Sequence, residues 1–241
     1  MNKIPKKGFL KAQINIINNI MTKRILDLII VGIAIVILSP LLVLVSIILK
    51  FSGEGEVFYV QERLGYKNEK FNIVKFATMV KNSPNIGTGS LTMRDDPRVL
   101  PFGKFLRKSK INELPQIFNV LIGNMSIVGP RPQMQVDFDK FPLDKRNKIY
   151  KSKPGITGIG SIIFRDEEKW ISIYDGDKHK FYKDKIAPYK AEVEIWYYQN
   201  QSIFVDFKLI FLTAWVIIFP NSNVVENVFK SLPIKPSYLE N

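Results

Sequence analysis

Residues 25–49 form a run of 25 mostly apolar side chains, broken near the middle by Ser39-Pro40. As one helix the run reaches about 37 Å, more than the ~30 Å hydrocarbon core of a bilayer. Proline inside a helix removes one backbone hydrogen bond and crowds the preceding turn. In lipid the freed carbonyl needs another donor, and the Ser39 hydroxyl is the adjacent candidate. A kink at Ser39 and Pro40 is therefore expected. Lys3, Lys6, Lys7, Lys11, Lys23 and Arg24 precede the run, and Lys50, Arg63, Lys67, Lys70 and Lys75 follow it. Basic residues favour the cytoplasmic side, so a hairpin that enters and returns satisfies both flanks. A kinked single span stays open, because charge biases orientation without fixing it. Asp27, one turn in, is expected to pair with Lys23 or Arg24. A signal peptide fits poorly: the run exceeds the roughly 7–15 residues of its apolar region, and no small-residue cleavage site follows.

The 35 Lys and Arg against 22 Asp and Glu leave a net charge of +13. That surplus calls for a polyanionic partner: nucleic acid, an anionic lipid surface or a phosphorylated substrate. No nucleic-acid motif accompanies it, and an anionic bilayer accounts for the charge equally well, so nucleic acid is not expected. There is no cysteine and a single histidine, His179. Disulfides, thiolate metal sites, histidine clusters and a Ser/His triad with a spare base are thereby excluded, leaving Asp, Glu, Lys and Tyr for acid–base or metal chemistry.

The chain divides into a basic amphipathic segment (1–22), the membrane element (23–50), a globular domain (51–220) and a C-terminal tail (221–241). Alternation over residues 57–80 around a turn-like GYKNEK predicts a short β-hairpin. Residues 81–98, rich in Gly, Ser, Asn and Pro, predict a long loop. Residues 112–123 predict a helix capped by Asn112, with Pro115 in its first turn and Gly123 as its stop. SIVGPRPQ reads as a rigid turn and KPGITGIGS as a Gly-rich loop, while 189–199 and 203–219 read as helices, the second a packing or interfacial one. The expected fold class is α+β, mainly helical.

Between residues 94 and 131, Arg94, Arg98, Lys104, Arg107, Lys108, Lys110 and Arg131 outnumber Asp95, Asp96 and Glu113. This mixture suits a phosphoanion held by Arg and Lys, with a divalent metal on carboxylate oxygen; a solvated basic loop is the plain alternative. Two prolines fix the backbone around Arg131, and Glu113 sits at a helix N-terminus that favours its ionised form.

The stretches QERLG, KFATM, DPR, FGKFLRKSKINELPQIFNVLIGNMSIVGPRP and KPGITG, in this order, resemble the bacterial sugar transferase family, the monotopic polyprenyl-phosphate phosphoglycosyl transferases. The resemblance implies a re-entrant helix broken at Ser39 and Pro40, with the catalytic domain on the cytoplasmic face of the bacterial inner membrane. It implies transfer of a phosphosugar from a nucleotide sugar, usually a UDP-sugar, to undecaprenyl phosphate. UMP is released and Mg2+ assists, as the first membrane step of surface glycan synthesis. Family members use an adjacent Asp-Glu pair, the Asp attacking phosphorus; here the pair reads Asn112-Glu113. An amide is a poor nucleophile and a weak magnesium ligand. Glu113 taking over, direct attack by the lipid phosphate, and a catalytically silent homologue that binds nucleotide sugar or glycolipid all stay open.

By the same resemblance Lys75 joins Asn112 and Glu113 in catalysis. Arg98 and Arg131, together with Arg107 of the basic stretch, face substrate phosphate, and Glu113 and Asp206 hold the metal. Ala77 stands where relatives commonly carry Arg. Inner-membrane lipid is a further partner, and a homodimer is left open.

Overall fold

A computed structural model describes residues 6–219, 222 and 224–239, with side chains from residue 19 onward. The expected basic face of residues 1–22 lies largely outside the described side chains.

Helix α1 (Lys6–Lys50) carries Pro40 in its interior. The expected hairpin is not two helices joined by a turn. The chain stays helical through the proline, and the Ser39 hydroxyl donates to the Val36 carbonyl at 3.0 Å. Val36 is the carbonyl four residues back, the one that Pro40 cannot serve. One stripe of α1 is buried: Val31 packs with Ile73, Ile117, Val120 and Met125, and Val45 and Leu49 pack with Phe76 and Leu106. Ile29, Ile33, Val36, Ile37, Val43, Leu44 and Ile47 face outward. The span from Asn19 to Lys50 is long and apolar enough to cross a membrane.

Strands β1 (Phe58–Leu64) and β2 (Lys70–Phe76) form the predicted antiparallel hairpin, Phe58 opposite Phe76 and Leu64 opposite Lys70. The loop that follows is held from inside by Arg98, whose guanidinium donates to the carbonyls of Ser83, Ile86, Gly89 and Leu91 and pairs with Asp96 at 2.6 Å. Helix α2 (Pro101–Lys108) leads to a 3-10 turn, Ile111–Glu113, then α3 (Gln116–Ile122). The predicted helix over 112–123 is therefore split. Pro115, not Asn112, precedes α3, whereas Gly123 closes it at φ 96° as expected.

Strand β3 (Ser126–Val128) pairs in parallel with β4 (Gly155–Thr157), a sheet that sequence pattern did not reveal. Its closeness needs Gly129, where a side chain would run into the backbone of residues 153–155. Between and after them lie α4 (Gln135–Phe138), α5 (Leu143–Ile149), α6 (Ile159–Ile163), α7 (Glu167–Ile173) and α8 (Lys178–Phe181). A π-helical turn at Tyr182–Ile186 joins α8 to α9 (Ala187–Asn200). Helices α10 (Ile203–Ile218) and α11 (Val224–Val228) follow, and a 3-10 turn at Ser237–Leu239 lies beyond them. The main core gathers Ile149, Tyr150, Ile159, Ile171, Tyr182, Tyr197 and Leu209, all essentially inaccessible to solvent.

The start of α1 is sewn to this body by polar contacts. Asp27 accepts from the Ser126 hydroxyl at 2.7 Å and the Ile127 amide at 3.2 Å. Lys23 pairs with Asp206 of α10 and donates to the Val128 carbonyl at 3.0 Å. Arg24 donates to the carbonyls of Val120 and Leu121 at the C-terminus of α3, where helix carbonyls lack intrahelical donors and a cation is favoured. The expected pairing of Asp27 with Lys23 or Arg24 is thus replaced by pairings to the globular body.

Candidate active site

Three elements bring the charged residues together. Lys110, in the left-handed region at φ 61°, turns the chain after α2 so that Glu113 lies against β2 and the turn after β3. There the Arg131 guanidinium donates to Glu113 Oε1 at 2.8 Å, and Lys75 Nζ lies 3.7 Å from the same oxygen. Burial alone would raise the Glu113 carboxyl, but Arg131, Lys75 and Lys110 hold it well below the usual carboxylate range. Burial pushes Lys75 down to about 7, with Glu113 opposing. Lys110 is lowered for the same reason, and Arg131 is raised by Glu113 beside it.

Arg107 stands at the rim, paired with Glu168 at 2.6 Å, close enough for its charge to act on Lys75 and Lys110. Arg63 adds another cation, itself lowered by burial and by Arg131. The cluster therefore carries more positive than negative charge around one ionised carboxylate. Such a surplus suits a phosphoanion, which it could hold through charge-assisted hydrogen bonds. Asn112 is buried beside Glu113, and its Oδ1 has no hydrogen-bond partner.

Two expected residues belong elsewhere. Arg98 is 4% exposed and its guanidinium is fully engaged within the 81–98 loop, so it orders that loop rather than facing phosphate. Asp206 receives a hydrogen bond from the Tyr197 hydroxyl at 2.7 Å and pairs with Lys23. It is not gathered with Glu113, and among the described residues no group of three or more Asp, Glu or His forms a metal-binding cluster. One carboxylate ringed by cations, with a neutral amide next to it, does not fit a magnesium ion resident on the protein. Conversely, Arg63 is expected only as a basic flank of the membrane element, and Lys110 only as one of several cations of residues 94–131, yet both join the cluster. Both lie in the recognised stretches, which marked the region without showing which side chains converge.

The model of the family described as bacterial sugar transferase matches residues 18–220. The exopolysaccharide production protein ExoY of Sinorhizobium fredii is 32% identical over 207 residues, covering 80% of this chain and 83% of that protein. The UDP-glucose:undecaprenyl-phosphate glucose-1-phosphate transferase of Klebsiella pneumoniae is 31% identical over 89% of this chain and 44% of its own length. The undecaprenyl-phosphate glucose phosphotransferase of Komagataeibacter xylinus is 34% identical over 81% of this chain and 35% of its own. The chain thus spans less than half of these two transferases, and most of the first relative. With the cluster, the Ser39-Pro40 helix and a match over residues 18–220, this chain belongs to the bacterial sugar transferase family.

Proposed function

We propose that the protein transfers a phosphosugar from a UDP-sugar to undecaprenyl phosphate at the membrane surface, releasing UMP, as an early step of surface glycan synthesis. The observation that carries this reading is the convergence of Arg131, Lys75 and Lys110 on Glu113, in a chain whose first helix is long and apolar enough to cross a membrane. The cations hold the diphosphate and stabilise charge on the leaving phosphate. The Asn112 amide cannot attack phosphorus, and Glu113 is paired with Arg131. An oxygen of the lipid phosphate therefore attacks the sugar-bearing phosphorus directly. The new P–O bond forms as the P–O bond to UMP breaks, and UMP leaves with the electron pair. Magnesium, where it assists, arrives as counter-ion of the diphosphate.

Re-entry of α1 is supported by contacts on both sides of Pro40. Val31 before it and Val45 and Leu49 after it touch one globular body. A perpendicular crossing would draw that charged body into hydrocarbon, at several kcal/mol per unpaired polar group. Phe204, Phe207, Phe211 and Trp215 project outward from α10 and suit the interfacial layer. With both basic flanks on one side, the domain faces the cytoplasm at the inner membrane.

Asn112 favours one second reading, a silent homologue that binds nucleotide sugar without turnover. Full-length protein in nanodiscs with undecaprenyl phosphate and a panel of UDP-sugars separates the two. UMP release with a new lipid diphosphosugar supports transfer; saturable UDP-sugar binding without product, with turnover gained in Asn112→Asp, supports the silent reading.

A further inference from the structure

Beneath the basic cluster, in the main core, lies an acid that the transfer reading does not use. Glu194 of α9 is 2% exposed. Its Oε1 accepts the Arg131 backbone N–H at 3.1 Å, and its Oε2 is buried with no hydrogen-bond partner. Pro130 and Pro132 have no N–H, so the Arg131 amide is the single backbone donor of that stretch. On the other side, the Arg131 carbonyl accepts from the Tyr150 hydroxyl at 2.8 Å. Space for the carboxylate exists because residue 160 is glycine: any side chain there would collide with Glu194 Oε1. A half-satisfied buried carboxylate is expensive to keep, yet the fold reserves room for it under the one arginine that meets Glu113.

We propose that Glu194 is a positioning residue for phosphosugar transfer, fixing the Arg131 main chain so that its guanidinium meets Glu113 and the substrate diphosphate. The proposal rests on the transfer reading above. Lys190 of the same helix and Arg131 are the charges facing Glu194, with the Tyr150 and Tyr197 phenols nearby. Burial pushes the carboxyl up to about 7 against the Arg131 amide and Lys190, so its ionisation gives a readout at accessible pH.

The test has two arms on the full-length protein in nanodiscs. In 15N-arginine-labelled protein, the Arg131 amide resonance is expected to shift through one ionisation near neutral pH and to stay flat in the isosteric Glu194→Gln variant. In the UMP assay, Glu194→Ala is expected to lower kcat/KM by about 10–100-fold, the range typical of outer-shell partners. That loss should vanish in the background of Arg131→Ala, because both changes remove one function. Losses that multiply in the double variant, or an Arg131 amide indifferent to Glu194→Gln, would overturn the proposal. If wild-type protein releases no UMP, the transfer reading fails by itself, and the amide titration decides the role of Glu194.

Discussion

Lys75 is a residue whose protonation the environment brings into the physiological range. Held near neutral by burial, it carries a proton at pH 6 and loses it as pH rises through about 7. Glu113, held well below its ordinary range, stays ionised throughout. The diphosphate therefore loses one cationic partner on the alkaline side, and KM for the UDP-sugar is expected to climb several-fold between pH 7 and 9. In Lys75→Met that climb should be absent; an unchanged pH slope in the variant would show that another group sets it. The same shift has a stability sign. Between about 7 and the ordinary lysine range the unfolded chain binds the proton and the folded one does not, so this group's contribution makes stability rise with pH there. Glu113 and Arg131 were legible in the sequence because they sit inside one long stretch that resembles a family, and Lys75 because it opens a short one, KFATM. Glu194 was not: one of two acids in α9, with Glu192, it gives no local sign that its carboxylate meets a backbone amide 63 residues away.

The tether between α1 and α10 carries the next expectation, since Asp206 pairs with Lys23. Asp206→Ala leaves the part-buried Lys23 ammonium without its counter-charge, which costs about 1–3 kcal/mol, less than for a fully buried pair. For a chain of this size that lowers Tm by roughly 2–12 °C. The magnesium response of whatever activity remains should match wild type; a selective loss of magnesium dependence would return Asp206 to the metal. Elements with enough length to show a period were readable: the β1–β2 hairpin, α9 and α10. Strands β3 and β4 span three residues each, and α4 to α8 span four to seven, too short for a period of two or 3.6 to register. Asn112 misled as a cap because tertiary contacts placed a separate 3-10 turn ahead of α3.

For the whole molecule, the proposed re-entry rests on the basic flanks, the Ser39-Pro40 interruption and the contacts on both sides of Pro40. The pairing partners of Lys23, Arg24 and Asp27 were out of reach, because they lie about a hundred residues or more downstream. The chain has no cysteine, so single cysteines at Lys3 and Lys104 report orientation cleanly. Both are expected to react with an impermeant maleimide only when the cytoplasmic face is open. Reaction from opposite faces would make α1 a full crossing and separate the basic cluster from the flank that shares its side.

Direct transfer is tested by the order in which products form. Full-length protein mixed with a UDP-sugar alone should release no UMP and gain no mass. Adding undecaprenyl phosphate should start release, with one lipid diphosphosugar formed for each UMP. A burst of one UMP per protein before lipid is added, with a phosphosugar adduct on the intact chain, would contradict it.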